Sequence, residues 1–192
     1  PDLGSTIVIG ALVIAILFFA GISFSQFILL ISLMGILTVV AIYFEPYRYL
    51  RFISFTEPFE DFRGSGWQLS NALLGIGRGE WFGTGLGNSL QKNLYLPEPH
   101  TDFIFAVIVE EFGLIGGLIV ILLFAVLIFG IIKTSIKALE LGKLFQGFLV
   151  FGAGILIAIQ ASFNIGVNLG ILPTKGLTLP FISYGGTSLI LF

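Results

Sequence analysis

Three stretches of this chain, residues 3–44, 112–132 and 144–174, contain no charged residue at all. A bilayer core is crossed by roughly 20 apolar residues in a helix, and each stretch is at least that long. The charges are displaced into what lies between, 12 of the 20 falling from Glu45 to Asp102. A soluble domain needs polar residues over its whole surface, and this distribution does not provide them. With 56% of residues apolar and 10% charged, where soluble domains average about 45–50% and about 25%, the chain reads as an all-α integral membrane protein. A polytopic transmembrane helix bundle is the architecture left. Lipid-exposed backbone must pair within its own segment, and the stretches lack the two-residue alternation of barrel strands.

The apolar pattern predicts spans at about 5–22, 27–44, 103–132 and 145–170, with a fifth beginning at Ser188 and cut short at Phe192. Residues 21–26 form a turn between antiparallel helices, and residues 45–102 form one large loop. The chain opens on Pro1 rather than Met and stops inside an apolar run, so it reads as a fragment, with 1–192 a single membrane domain. Lys133, Lys137 and Lys143 crowd an 11-residue connection, a denser packing of cations than the five in the 58-residue loop. The positive-inside rule then sets 133–143 in the cytoplasm and both 45–102 and 171–187 outside. Glycine-rich and charged loops share that outer face, so chemistry is expected there. The net charge of −2, without any basic run, argues against a nucleic-acid partner. There is no cysteine and His100 is the single histidine, which removes thiolate chemistry, Cys-based zinc sites and multi-histidine metal centres.

Within the outer loop, GIGRGEWFGTGLGN places glycines at 75, 77, 79, 83, 85 and 87. Such a run either turns amides toward an anion or simply makes tight turns. Arg48 and Arg51 follow the second span three residues apart, fit either to hold a diphosphate or to snorkel beside Tyr43, Tyr47 and Tyr49. In LPEPHTDF the prolines at 97 and 99 keep the chain extended, delivering Glu98, His100, Thr101 and Asp102 to the start of the third span. Thr101 or Asp102 suits the N-cap of that helix, while a partly desolvated Asp102 suits a general base, and the two roles are compatible. Glu110 and Glu111 are expected about 12–13 Å further along the helix. Carboxylates there should face the bundle interior or a wet cavity, either as functional acids or bonded to the stripe Gln160, Asn164 and Asn168 on the fourth span, the structural role being favoured. Lys175, between the prolines at 173 and 180, is either solvated or a partner for Asp102 or a phosphate; SYGG at 183–186 offers small residues for close packing.

These segments resemble the SEDS family of bacterial cell-wall polymerases, named for shape, elongation, division and sporulation. PDLG at 1–4, EPYR at 45–48, GSGWQL at 64–69, GRGEWFGTGLGNSLQK at 77–92, YLPEPHTDFIFAVIVEEFG at 95–113 and LPTKGLTLPFISYGG at 172–186 occur in the family's order across the chain. GLGNSLQK at 85–92 is more similar to the division branch than to the elongation branch. The resemblance implies a bundle of about ten helices, of which this chain holds the C-terminal half, in the bacterial cytoplasmic (inner) membrane. It implies polymerisation of lipid II, a disaccharide-pentapeptide on undecaprenyl diphosphate, at the extracytoplasmic face. It also implies a class B penicillin-binding transpeptidase and other divisome proteins as partners. The family's essential loop aspartate falls on Asp102, and its Lys-Gly and Glu-Glu pairs fall on Lys175-Gly176 and Glu110-Glu111.

An inverting glycosyl transfer needs one base for the acceptor hydroxyl and cationic or amide donors for the departing diphosphate. Asp102 supplies the first; Arg48, Arg51, Lys175, His100 and Glu98 are candidates around the substrate, supported by Glu110, Glu111 and Asn164. No resident cofactor is implied, although a diphosphate commonly recruits Mg2+ or Mn2+. Two rival readings are a transporter that flips the lipid-linked precursor along the acids and the Asn/Gln stripe, and a non-catalytic activator of a transpeptidase.

Overall fold

The computed structural model describes residues 3–45, 55–56, 58–59, 66–94, 100–174 and 176–184. Among the described residues all regular structure is helical: α1 (Leu3–Phe19), α2 (Phe24–Tyr43), α3 (Trp67–Gly79), α4 (Leu90–Leu94), α5 (Ile104–Glu140) and α6 (Leu144–Asn168). Three of them, α2, α5 and α6, are long and apolar enough to cross a membrane, and α1 is a shorter apolar helix. The chain divides into two compact units, one of residues 1–45 with 123–159 and one of 46–122 with 160–192.

In the first unit, α2 begins at Phe24 because Ser23 and Gln26 form a reciprocal capping box, which satisfies free amides of its first turn. The helix is apolar on every side yet has no buried residue, the surface expected where the neighbour is hydrocarbon rather than protein. Phe19 of α1 stacks on Phe151 of α6 with ring centroids 3.8 Å apart. The predicted connection 133–143 is largely helix: KTSIKALE holds no breaker, so α5 continues to Glu140 and only Leu141–Lys143 turn, with Gly142 at φ 74°. There Ser135 Oγ donates to the Gly147 carbonyl at 2.8 Å.

In the second unit, the predicted large loop contains α3, which buries Leu69, Ala72 and Gly75. Ala72 joins Phe103, Ala106 and Val167 in a core flanked by Ile76, Phe163 and Leu172. Arg48, Arg51, Glu98 and Lys175, together with the expected fifth span from Ser188, lie outside the described residues.

The helix α5 is broken at Gly113, whose φ of 75° and ψ of −176° are open only to glycine. The break frees the Glu110 and Glu111 carbonyls and the Leu114 and Ile115 amides from their usual helical pairing. The segment after α3 fills the gap. Thr84 and Gly85 donate their amides to the Glu110 and Glu111 carbonyls at 2.9 and 3.1 Å, while the Glu80 and Trp81 carbonyls accept from Leu114 and Ile115 at 2.8 and 3.4 Å. Backbone meets backbone so closely that a Cβ on Gly83 would stand 2.6 Å from the Gly113 nitrogen. The glycines of the run therefore serve this splice and α3 itself. Gly75, Gly77 and Gly79 are helical, and the Gly83, Thr84 and Gly85 amides are taken by carbonyls rather than offered to an anion.

Candidate functional site

The residues His100, Thr101 and Asp102 form a turn leading into α5, and their three carbonyls are held from two sides, by Ser183 and Tyr184 and by the asparagines of α6. Tyr184 donates its amide to the His100 carbonyl at 2.8 Å. Ser183 Oγ donates to the Thr101 carbonyl at 2.6 Å and accepts the Leu179 amide at 2.7 Å. Asn164 and Asn168 Nδ2 both donate to the Asp102 carbonyl, at 2.9 and 3.0 Å. Asn164 also reaches the Leu177 carbonyl at 2.6 Å, and Asn168 Oδ1 takes the Ala106 amide, a free donor of the first turn of α5, at 3.0 Å.

The three anchoring side chains are buried: Asn164 is 1% exposed, Asn168 0% and Ser183 6%. A buried carbonyl that lost its donors would cost about 1–3 kcal/mol, so the turn has one strongly favoured position. The Asp102 carboxylate, partly exposed, rests against the backbone of Gly176, where a Cβ would lie 3.1 Å from Oδ2. His100 of the same turn, with Ile104, Phe181, Ile182, Ser183 and Tyr184, lines an open cavity of about 440 Å3, whose lining does not include Asp102. Phe181 holds φ at 64°, a strained value for an aromatic residue in a segment that also contributes two of the anchors.

The second polar cluster lies one short helix away. Glu110 is fully buried. Its Oε2 accepts from Ser89 Oγ at 2.5 Å and its Oε1 from the Leu90 amide at 3.1 Å and Arg78 Nη1 at 3.4 Å. Glu111 makes a long ion pair with Lys92 at 4.0 Å, and its Oε1 accepts no hydrogen bond.

This corrects one expectation. The acids do not bond to the stripe on α6; Glu110 fastens α5 to the α3–α4 segment, while Asn164 and Asn168 bind the backbone of the Asp102 turn. Gln160, the third member of the stripe, has a buried Oε1 that accepts no hydrogen bond. With its two asparagines committed to carbonyls, the stripe is a clamp and not a free polar path. Ser183 likewise anchors Thr101, a role its place in SYGG did not reveal. Ser89 and Arg78 also escaped the sequence reading, although a buried carboxylate always demands partners. Among the described residues no three of His, Asp and Glu converge to hold a metal ion, so these side chains do not form a protein cage for one.

Comparison with known proteins identifies the family. The family model described as cell cycle protein, covering FtsW, RodA and SpoVE, matches residues 1–192. The chain is 52% identical over 191 residues to the probable peptidoglycan glycosyltransferase FtsW of Aliivibrio salmonicida and 51% identical over 191 residues to that of Acinetobacter baylyi. Each alignment covers 100% of this chain and 48% of the relative, so the chain spans about half the length of the curated relatives it matches. A solved chain from work on structural coordination of polymerization and crosslinking by a peptidoglycan synthase complex superposes with a TM-score of 0.74 at 26% identity, over 99% of this chain and 52% of that one. The match along its whole length shows that the chain belongs to the FtsW/RodA/SpoVE family of cell cycle proteins.

Proposed function

We propose that this chain is the C-terminal half of a peptidoglycan glycosyltransferase of the division branch, which polymerises lipid II at the outer face of the bacterial cytoplasmic membrane. Asp102 is the general base. The observation that carries this reading is the clamp on three consecutive carbonyls, which seats Asp102, an acid of intermediate burial, in the same turn as the cavity-lining His100. A base must meet the acceptor hydroxyl within hydrogen-bond reach, and a rigid seat lowers the cost of reaching that geometry.

Height above the membrane supports the same assignment. Residues 114–132 are 19 uncharged residues, about 28 Å of helix against a core of about 30 Å. Gly113 then falls at the hydrocarbon edge, and Ile104–Phe112 carry Asp102 up to about 14 Å beyond it, the headgroup zone where a lipid-borne diphosphate lies. Glu110 and Glu111 lie in the interfacial layer on this count rather than deep in the core.

In the reaction, Asp102 takes the proton of the acceptor sugar hydroxyl as that oxygen attacks the anomeric carbon of the donor, and undecaprenyl diphosphate leaves. Arg48, Arg51, Lys175 and His100 are proposed to neutralise the diphosphate, and Glu98 to contact the sugars. A Mg2+ or Mn2+ ion would enter with the diphosphate, Mg2+ being commonly held by one or two carboxylates and substrate oxygens; no step here depends on it. A class B penicillin-binding transpeptidase and the other division proteins are proposed as partners, with four complete spans and the start of a fifth in this half.

The test is polymer formation from purified lipid II by the full-length protein with its transpeptidase. Asp102→Asn is expected to abolish glycan polymer without shifting the melting temperature. Undiminished polymer from that variant removes Asp102 from the base role. Lipid II translocation without polymer from the unmodified protein replaces the reading with a transporter.

A further inference from the structure

The segment joining α3 to α4 carries an apolar surface that the proposed reaction leaves unused. Trp81 is 63% exposed, Phe82 83% and Leu86 75%. Residues 81–91 hold no charge. Because the Trp81 carbonyl accepts the Ile115 amide, this surface begins at the level where the uncharged run of α5 begins. Phe112, Leu118 and Ile119 of that helix are exposed as well. Its backbone is unusually self-contained: the Gly83, Thr84 and Gly85 amides and the Glu80 and Trp81 carbonyls are all bonded to protein. Apolar side chains on a turn with much of its polar backbone already bonded to protein suit the boundary between hydrocarbon and headgroups, and tryptophan concentrates there.

We propose that the 80–87 turn is a membrane anchor, with Trp81, Phe82 and Leu86 seated in the bilayer interface at the edge of the hydrocarbon core. The occupant is lipid. The turn is bonded to α5 where the uncharged run of that helix begins, and its exposed charges, Arg78 and Glu80, precede the apolar positions, an order suited to a headgroup layer above hydrocarbon. Spliced into α5 and tied to it through Ser89 and Glu110, the anchor fixes how far the Asp102 turn stands from the membrane.

The inference rests on the reading of α5 as a membrane span, and the test separates the two. A nitroxide is placed at Phe82→Cys, and independently at Leu86→Cys, in a cysteine-free full-length protein in lipid nanodiscs without its partners. Leu118→Cys serves as the lipid control. Power saturation compares collisions with oxygen and with a water-soluble nickel chelate. Both turn positions are expected to favour oxygen, with a depth parameter of the same sign as Leu118→Cys. Preference for the nickel chelate at both positions overturns the anchor, as does protection from both reagents, which would mean that protein covers the turn. A control at Leu118→Cys that favours the nickel chelate would overturn the span itself.

Discussion

Replacing Gly113 by alanine tests whether the splice between the 80–85 turn and α5 is what seats that turn. An alanine Cβ would stand 2.5 Å from the Gly83 nitrogen, and the backbone there has φ 75° and ψ −176°. The chain has two ways out. If the break persists, a non-glycine residue in that conformation costs about 1–3 kcal/mol. If the helix closes over the gap, the Thr84, Gly85, Leu114 and Ile115 amides all leave their present partners and only the last two regain helical ones. Two hydrogen bonds are then lost, again about 1–3 kcal/mol. Either route weakens the seat of the turn by about 2 kcal/mol, which corresponds to about 30-fold in an opening equilibrium.

Hydrogen exchange on the full-length protein in nanodiscs reads this directly, from a peptide containing the Thr84 and Gly85 amides. Exchange there should accelerate about 30-fold in Gly113→Ala. Gly130→Ala is the control, since nothing lies within 4 Å of its Cβ position and alanine is the better helix former by about 1 kcal/mol. It should leave those amides unchanged. Wild-type exchange in both variants would refute the splice as the source of order in the turn.

Asn164→Ala and Asn168→Ala remove donors that share the Asp102 carbonyl, so their stability losses should be non-additive by about 0.5–3 kcal/mol in a double-mutant cycle followed by thermal unfolding. Glu110→Ala strands the Leu90 amide and should destabilise by about 2–4 kcal/mol, whereas Glu110→Gln retains an acceptor and should lose less than half as much in the same assay. Gly176→Ala puts a methyl 3.1 Å from Asp102 Oδ2. It should reduce the lipid II polymerisation rate at least about tenfold with a stability change under about 1 kcal/mol, because a small displacement of a base costs more in rate than in folding.

The long uncharged runs made the helical membrane character legible, since backbone pairing in lipid leaves few alternatives. Their ends were less so: α5 outruns its predicted end because lysines 133 and 137 favour helix as readily as a loop. Nothing local marked Gly113 as the break, since Gly116, Gly117 and Gly130 of the same stretch are helical. The i, i+4 spacing of Asn164 and Asn168 correctly put them on one face, but spacing is silent about what that face meets. Their partner is a backbone carbonyl 62 and 66 residues away. Glu110 finds its acceptor role in residues 20 and 21 positions earlier, within a loop whose two helices were too short and mixed in character to stand out.

The splice at Gly113 also fixes an order of events during synthesis. Thr84 leaves the ribosome 26 residues ahead of the Glu110 carbonyl that receives it, a delay of about 1–5 s at ordinary elongation rates. For that interval the Thr84 and Gly85 amides lack their α5 partners, so this part of the turn stays hydrated until the next helix has emerged. Membrane insertion of this region is therefore a late docking of two segments, and a chain stalled between them would leave the first half of the joint exposed.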